Sequence, residues 1–96
     1  MGKFFDSLTG FIMEAVKEKN TSKVNALKNL KAKMLEFKTA KNAKPLDDAA
    51  EIGIIKKMVT ELHNDADLFS ANNRADLAAS ANNEASYLEM FLPKEA

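Results

Sequence analysis

Hydrophobic residues along the chain recur at intervals of three and four, the spacing of a helix that buries one face. Polar breaks at residues 20–22, 38–44 and 72–73 separate four stripes, and no alternating β-branched run indicates a strand. We therefore predict an all-α fold: a small four-helix domain with two shorter helices followed by a long antiparallel helical hairpin. The stripes comprise Phe4, Phe5, Leu8, Phe11, Ile12, Ala15 and Val16; Val24, Leu27, Leu30, Met34, Leu35 and Phe37; Ile52, Ile55, Met58, Val59, Leu62, Ala66 and Phe69; and Leu77, Ala81, Ala85, Leu88 and Leu92.

Residues that favour helix starts follow the breaks. Thr21 or Ser22 is expected to cap the second helix by accepting hydrogen bonds from its free amide groups, and Asp47 or Asp48 to cap the third. Asp48 and Glu51 also have the spacing of a capping box, in which each side chain accepts from the other residue's N–H.

Three further residues bear on the hairpin. Gly53 interrupts the third stripe, and either permits a close helix contact or faces solvent without a role. Asn73 is expected in the turn after the third helix, because asparagine tolerates a left-handed backbone. Pro93 is expected to end the fourth helix.

Composition narrows the class of protein. The 96 residues are enough for one small domain, residues 1–96. The absence of cysteine excludes disulfides, thiolate catalysis and cysteine-based zinc sites. A formal net charge of zero argues against holding nucleic acid by bulk electrostatics alone. No segment has the pattern of a membrane span or a signal peptide, so we expect a cytoplasmic protein without membrane association.

Charge is divided between the two halves of the chain. Residues 1–44 hold ten lysines and four acidic residues, a net charge of +6, whereas residues 45–96 hold four basic and ten acidic residues, a net charge of −6. One interpretation is a basic face for phosphate backbones on the second helix. The other interpretation is that the two oppositely charged halves of the chain attract each other in the folded protein and keep it soluble. The lysines of the first interpretation are Lys23, Lys28, Lys31 and Lys33.

Candidate catalytic and metal-binding residues are few. His63 is the only histidine, and Asp67 one turn later could orient it, but helical spacing puts no nucleophile beside them. We therefore favour a solvated surface position for His63. Glu61 and Asp65 share one helix face and could hold a divalent cation loosely, but a solvated acidic face is the interpretation we favour. With one histidine and no glycine-rich loop, we predict no catalytic residue, no metal site and no cofactor.

The chain's only arginine, Arg74, precedes the fourth helix. Its guanidinium and the Asp76 carboxylate can tie the start of that helix together, since a carboxylate is favoured near a helix N-terminus. The alternative is a contact between Arg74 and a phosphate or a protein partner.

The residues around Arg74 belong to a longer pattern. Residues 69–77 read FSANNRADL. This segment resembles the motif F-x-x-A-G-R-x-D-L of the GatB/YqeY domain family, with Asn73 in place of the glycine and with Arg74, Asp76 and Leu77 matched.

The resemblance extends over most of the chain. Residues 84–93 resemble the family's E-I-x-x-L-x-x-Y-L-P in register and end on Leu92 and Pro93. Residues 15–20 (AVKEKN) are similar to A-M-K-x-K-D, and residues 45–52 are similar to L-S-D-E-E-V at the start of the third helix.

The resemblance implies a helical accessory module. In the glutamine-dependent amidotransferase that converts Glu-tRNA(Gln) to Gln-tRNA(Gln), such a domain is a tail of the B subunit that helps engage tRNA, while the kinase and amidase chemistry lies in other domains. The family label is therefore carbon–nitrogen ligase activity with glutamine as amido donor. Family members continue into a second helical lobe, whereas this chain resembles the first lobe only, and residues 60–65 (TELHND) lack the family's basic K-Q-R. Such analogy carries over a binding role at most.

We therefore expect no enzymatic activity from the chain itself. The leading hypothesis is a non-catalytic module that engages tRNA or amidotransferase subunits, with the lysines of the second helix on backbone phosphates and Arg74 as an anchor of the turn. The alternative is a structural or protein-interaction module: part of a larger assembly, a phage-borne family copy, or a self-associating protein. A third interpretation, a membrane-surface helix instead of core packing, would use Phe4, Phe5, Phe11 and Ile12.

Overall fold

A computed structural model describes residues 3–40 and 45–92, and these residues form four α-helices and no strand. The predicted all-α class is therefore confirmed. The third and fourth helices form the hairpin, and its arms are unequal, with 24 and 15 residues. The prediction that the fourth helix runs to Pro93 was wrong: the helix ends at Glu89, where the N–H groups of Phe91 and Leu92 bond three residues back in a tighter turn. In chain order, the helices are α1 (Lys3–Lys17), α2 (Thr21–Thr39), α3 (Asp48–Ala71) and α4 (Ala75–Glu89).

The helices α1 and α2 pack against the base of the hairpin, where α3 begins and α4 ends. One main core joins all four helices there, because their apolar stripes face one another. Leu27, Ile55 and Leu88 lie on three different helices, and each is at most 2% exposed, as the stripes predict. The buried members of the main core are Leu8, Ala15, Ala26, Leu27, Leu30, Met34, Leu46, Ile55, Val59, Ala85 and Leu88.

The outer part of the hairpin, residues 66–81, has a smaller core of its own and is called the hairpin tip below. Ala66 of α3 packs with Ala78 and Ala81 of α4, and Leu62 and Phe69 lie partly buried beside them. Alanine lets two helices approach closely but removes little apolar surface from water. The hairpin tip is therefore held by less hydrophobic burial than the base.

The start of α2 lies one residue earlier than the sequence analysis predicts. Asn20 is the N-cap, and its Oδ1 accepts from the backbone N–H of Lys23 at 3.2 Å. The same side chain donates from Nδ2 to the Tyr87 hydroxyl at 2.9 Å. The predictions of Thr21 and Ser22 as caps were therefore wrong. The Asn20 side chain takes this position because its amide accepts from the start of α2 and also donates to Tyr87 of α4.

The start of α3 confirms one prediction and corrects another. Asp47 is the N-cap, and its Oδ1 accepts from the N–H of Ala50 at 2.8 Å. The predicted capping box with Glu51 was wrong. The Glu51 side chain turns into the core, where the residue is 3% exposed, and its Oε2 accepts from the N–H of Phe5 at 2.6 Å. A carboxylate of α3 thus satisfies a free amide in the first turn of α1.

Two helix ends are closed by residues with a left-handed backbone. Lys19 (φ 58°) follows α1, and Asn73 (φ 62°) follows α3, where the sequence predicts it. At each end the next residue bonds back across the turn: Asn20 N–H to the Ala15 carbonyl at 3.0 Å, and Arg74 N–H to the Phe69 carbonyl at 2.8 Å. This is the Schellman arrangement, in which glycine usually occupies the left-handed position.

Some stripe residues lie outside the core. Val16 and Leu35, which the stripes place inside, are 55% and 42% exposed. Each directly follows a buried residue, Ala15 or Met34, and one further step of about 100° around the helix carries it toward solvent. Gly53 is also exposed, and a Cβ built there meets no atom within 4 Å. Of its two interpretations, the close helix contact was therefore wrong.

Candidate binding surfaces

The four lysines predicted to contact phosphates lie on different sides of α2. Lys28 and Lys31 lie toward α1, and Lys31 Nζ donates to Thr9 Oγ1 at 3.2 Å. Lys33 lies toward α3 and pairs with Glu36 at 3.6 Å. Lys23 is partly buried near the start of α2, where its Nζ is 3.7 Å from Glu18. The structure therefore brings Lys28 and Lys31 together but does not place all four lysines on one face.

A shallow surface between the first two helices, called the α1–α2 groove below, combines aliphatic and basic side chains. Met13 and Leu35 are 57% and 42% exposed there, beside the partly buried Ile12. Lys28 and Lys31 border these side chains, and no carboxylate is among the described residues that line the groove. Sequence reasoning missed this surface because it counted Leu35 among the core residues. The described lining is Thr9, Ile12, Met13, Lys28, Lys31, Ala32 and Leu35.

The other side of α2 has the opposite character. Here the surface between α2 and α3, called the α2–α3 groove, is lined by Lys33 together with Glu36, Glu61 and Asp65. Met58 and Leu62 form part of its floor. Lys57 lies on the same surface, so three carboxylates face two lysines, and this side of α2 is less favourable to a phosphate backbone than the α1–α2 groove.

Arg74 lies at the hairpin turn, away from the main core that holds α2. Its Nε and Nη2 donate to the two carboxylate oxygens of Asp76, both at 3.4 Å. The hydrogen bond from Arg74 lowers the pKa of Asp76, and the N–H of Leu77 lowers it further. This geometry matches the predicted turn anchor. The exposed guanidinium stands apart from the lysines, so the five predicted contact residues do not form a continuous surface.

The remaining residues of the motif shared with the GatB/YqeY domain have structural positions. Asn73 supplies the left-handed turn, Leu77 is partly buried in α4, and Leu92 packs against the main core. Pro93 lies outside the residues that the structure describes.

His63 links the two arms of the hairpin. Its Nδ1 is 3.1 Å from Asn82 Oδ1, and its Nε2 is 2.8 Å from Glu89 Oε1. The hydrogen bond to Glu89 raises the pKa of His63 most, followed by the one to Asn82. The predicted orienting residue, Asp67, adds only a weaker electrostatic contribution. Because two oxygens face its two ring nitrogens, His63 is suited to a bridging role as an imidazolium.

Among the described residues, no side-chain cluster is suited to binding a metal ion, and the buried carboxylate already has a partner. In residues 3–40 and 45–92 no group of three or more His, Cys, Asp or Glu could hold a metal ion. Glu61 and Asp65 instead line the α2–α3 groove. Within the same ranges Glu51 is the buried charged residue, and its partner is the backbone N–H of Phe5. That carboxylate is already used to hold α1 in place.

The aromatic residues of α1 face the protein interior. Phe4 and Phe11 lie 4.8 Å and 5.3 Å from Phe91, measured between ring centroids, and they pack against the main core. Core packing of α1, the alternative to a membrane-surface helix, is therefore what the structure has. Across the described ranges, no helix combines the length and the hydrophobicity needed to cross a bilayer.

The described residues thus form a small all-α domain with two open grooves, a bridging histidine and a tied helix turn. A family model described as Yqey-like protein matches residues 5–96. The chain therefore belongs to the YqeY-like family, which is related to the tail of GatB, and the resemblance found in the sequence is confirmed. Among curated proteins, none matches the chain.

Proposed function

We propose that the protein is a non-catalytic binding module that engages tRNA through the basic side of α1 and α2, in the cytoplasm. The observation that carries this proposal is that Lys28 and Lys31 lie together beside a groove whose described lining contains no carboxylate. Two ammonium groups on one surface can follow a phosphate backbone, and binding then releases counterions. Lys23 extends this contact only after its Nζ leaves Glu18, which lies 3.7 Å away. Lys33 lies on the α3 side of α2 and stays outside the contact.

The same proposal includes that this chain has no enzymatic activity of its own. Nucleophilic or acid–base catalysis needs a reactive group held beside a base and shielded from water. His63 is about half exposed, and both of its ring nitrogens already have partners in Asn82 and Glu89. We therefore assign the amidotransferase chemistry of related systems to other domains and a docking role to this chain.

The test is fluorescence polarisation with labelled, unmodified tRNA at low and moderate salt. Lys28→Gln with Lys31→Gln is expected to weaken binding and to reduce the slope of log K against log salt by about two, one per lost lysine. The matched control is Lys56→Gln with Lys57→Gln, which removes the same charge from exposed positions on α3. An equal loss in both double variants, or no binding by the native chain at low salt, would falsify the tRNA proposal.

A second candidate function is a protein-interaction module. The observation that favours it is the exposure of Met13 and Leu35 in the α1–α2 groove, since water-exposed aliphatic side chains grouped with basic ones are typical of protein contacts. Amidotransferase subunits are the first partners to test. Co-elution of the purified chain with those subunits on size-exclusion chromatography is expected, and Leu35→Ser should reduce it; no co-elution at micromolar concentrations excludes that partner.

A further inference from the structure

Two surfaces of this molecule are complementary in charge and in hydrophobic character. The first is the α1–α2 groove, where Lys28 and Lys31 border the exposed side chains of Met13 and Leu35. Charge repels any basic partner from this groove, and the exposed aliphatic groups gain from being covered. The groove is thus suited to a helix that carries acidic residues and an aliphatic side chain on the same face.

The exposed side of α3 along the edge of the α2–α3 groove, called the outer face of α3 below, has that composition. Glu61, Asp65 and Leu68 follow one another at intervals of four and three, so they lie along one side of the helix. All three residues are exposed, and Leu68 is 62% exposed. This side thus combines an exposed aliphatic side chain with two carboxylates, and Lys57, one turn before Glu61, is its basic residue. Its acidic part is opposite in charge to the groove.

We propose that a second copy of this chain is the occupant of the α1–α2 groove. In this contact the outer face of α3 of one molecule lies in the groove of another, with Glu61 and Asp65 opposite Lys28 and Lys31. Leu68 then covers the aliphatic side chains of the groove. This inference rests on the second candidate function, the protein-interaction module, and names its partner.

The charge distribution of the chain supports this occupant. Residues 1–44 carry a net charge of +6 and residues 45–96 a net charge of −6, so the whole chain is neutral. Two neutral molecules have no overall repulsion, and their oppositely charged halves attract when they approach head to tail. The contact joins two different surfaces, so a pair keeps one free groove on one molecule and one free α3 face on the other, and short chains or a closed ring result.

The contact is small, and its strength therefore depends on ionic strength and protein concentration. One leucine and a few charge pairs bury far less than the roughly 1,200 Å² of a stable complex. Exposed charge pairs are also screened over about 10 Å at 0.1 M salt. We expect association at high protein concentration and low salt, and monomers at about 0.5 M salt. Bound RNA on Lys28 and Lys31 would compete with this association.

A charge-exchange experiment on the full chain tests the proposal by sedimentation velocity. The groove variant is Lys28→Glu with Lys31→Glu, and the helix variant is Glu61→Lys with Asp65→Lys. Each alone is expected to weaken self-association by about tenfold or more, because like charges then face each other. An equimolar mixture is expected to associate again, because each variant's altered surface then meets a complementary one.

A single substitution at an exposed residue tests the same contact with little risk to the fold. Leu68→Ser changes one exposed side chain and is expected to weaken self-association by about tenfold, while Met90→Ser, at a residue that is 72% exposed outside both surfaces, leaves it unchanged. Circular dichroism melts show whether each variant is folded. A native chain that stays monomeric at millimolar concentration and low salt overturns the proposal, as does association that survives in the groove variant. A monomer that still co-elutes with amidotransferase subunits overturns this inference alone and leaves the protein-interaction function in place.

Discussion

Glu51 connects two helices that are far apart in the sequence. Its carboxylate accepts from the N–H of Phe5 at 2.6 Å, and the residue is 3% exposed. A negative charge at a helix N-terminus is favoured by the free amide groups and by the helix dipole. The bond therefore fixes the start of α1 on the first turn of α3, beside the main core.

Replacing Glu51 by alanine is expected to lower the free energy of unfolding by about 1–3 kcal/mol, because the N–H of Phe5 loses its partner in a partly buried place. Urea denaturation followed by circular dichroism measures this change. Asp48→Ala is the matched control, since Asp48 is exposed in the same turn of α3 and should cost less than about 1 kcal/mol. Equal losses of stability in the two variants would show that Glu51 acts only as a negative charge at the N-terminus of α3.

Lys19 has an unusual backbone conformation for its residue type. Its φ of 58° closes α1, and the left-handed region costs a residue with a Cβ about 1–2 kcal/mol. Glycine avoids this cost but has more freedom in the unfolded chain, which offsets about 0.4–1 kcal/mol.

Lys19→Gly is therefore expected to raise the free energy of unfolding by up to about 1 kcal/mol, as measured by thermal or urea denaturation. Lys17→Gly removes the same side chain two residues earlier, inside α1, where glycine costs about 1 kcal/mol. The two variants should shift stability in opposite directions. A loss in both would mean that the left-handed position is not strained.

At the scale of helices, His63 joins α3 to α4 at the hairpin. Glu89 and Asn82, both on α4, accept from its two ring nitrogens. These contacts favour the imidazolium, so the pKa of His63 in the folded protein is raised above its ordinary value of 6.5. The contribution of this pair to stability is thus fully present below about pH 6.5 and is lost as the pH rises through the raised pKa.

The native chain is therefore expected to be less stable at pH 8.5 than at pH 5.5, by less than about 1 kcal/mol because the pair is exposed. The measurement is urea denaturation at both pH values, with Glu89→Gln as the comparison. That variant should lose most of the difference. Burial also raises the pKa of the Glu84 carboxyl, which gives a change of the same sign at lower pH, and Glu89→Gln leaves that change in place. A pH dependence unchanged by the substitution would rule out the bridge as its source.

At the scale of the whole molecule, stability is distributed unevenly between two cores. The main core contains buried Leu, Ile and Met side chains from all four helices, whereas the hairpin tip is held by alanines with Leu62 and Phe69 beside them. Local opening requires less free energy where less apolar surface is buried. The hairpin tip should thus open while the base stays folded.

Amide hydrogen exchange is expected to be at least about tenfold faster in residues 69–79 than in residues 27–34 and 55–59. Phe69→Ala should speed exchange in the hairpin tip further and leave the α2 amides unchanged. Leu88→Ala, a core truncation that costs about 2–5 kcal/mol, should speed exchange throughout. Uniform protection along the chain would show that the two cores open as one unit.

The residues that the sequence predicted well are those whose role is local. Asp47 caps α3 and Asn73 takes a left-handed backbone, because each role depends on neighbours within three or four positions. Glu51 was predicted to pair with Asp48 on its own helix and His63 to be a solvated surface residue, yet both bind residues of another helix. Leu35 was placed in the core because helical spacing gives the direction of a side chain but not the width of the surface that covers it.

The order of four helices, the buried stripes and the family were determined by the sequence itself, because periodicity and short motifs are properties of neighbouring residues. Only the tertiary structure decided which carboxylate holds the start of α1, which residues bridge the hairpin, and that the lysines of α2 divide between a basic and an acidic groove. These features depend on how helices pack side by side, and packing brings together residues that no spacing along the chain relates.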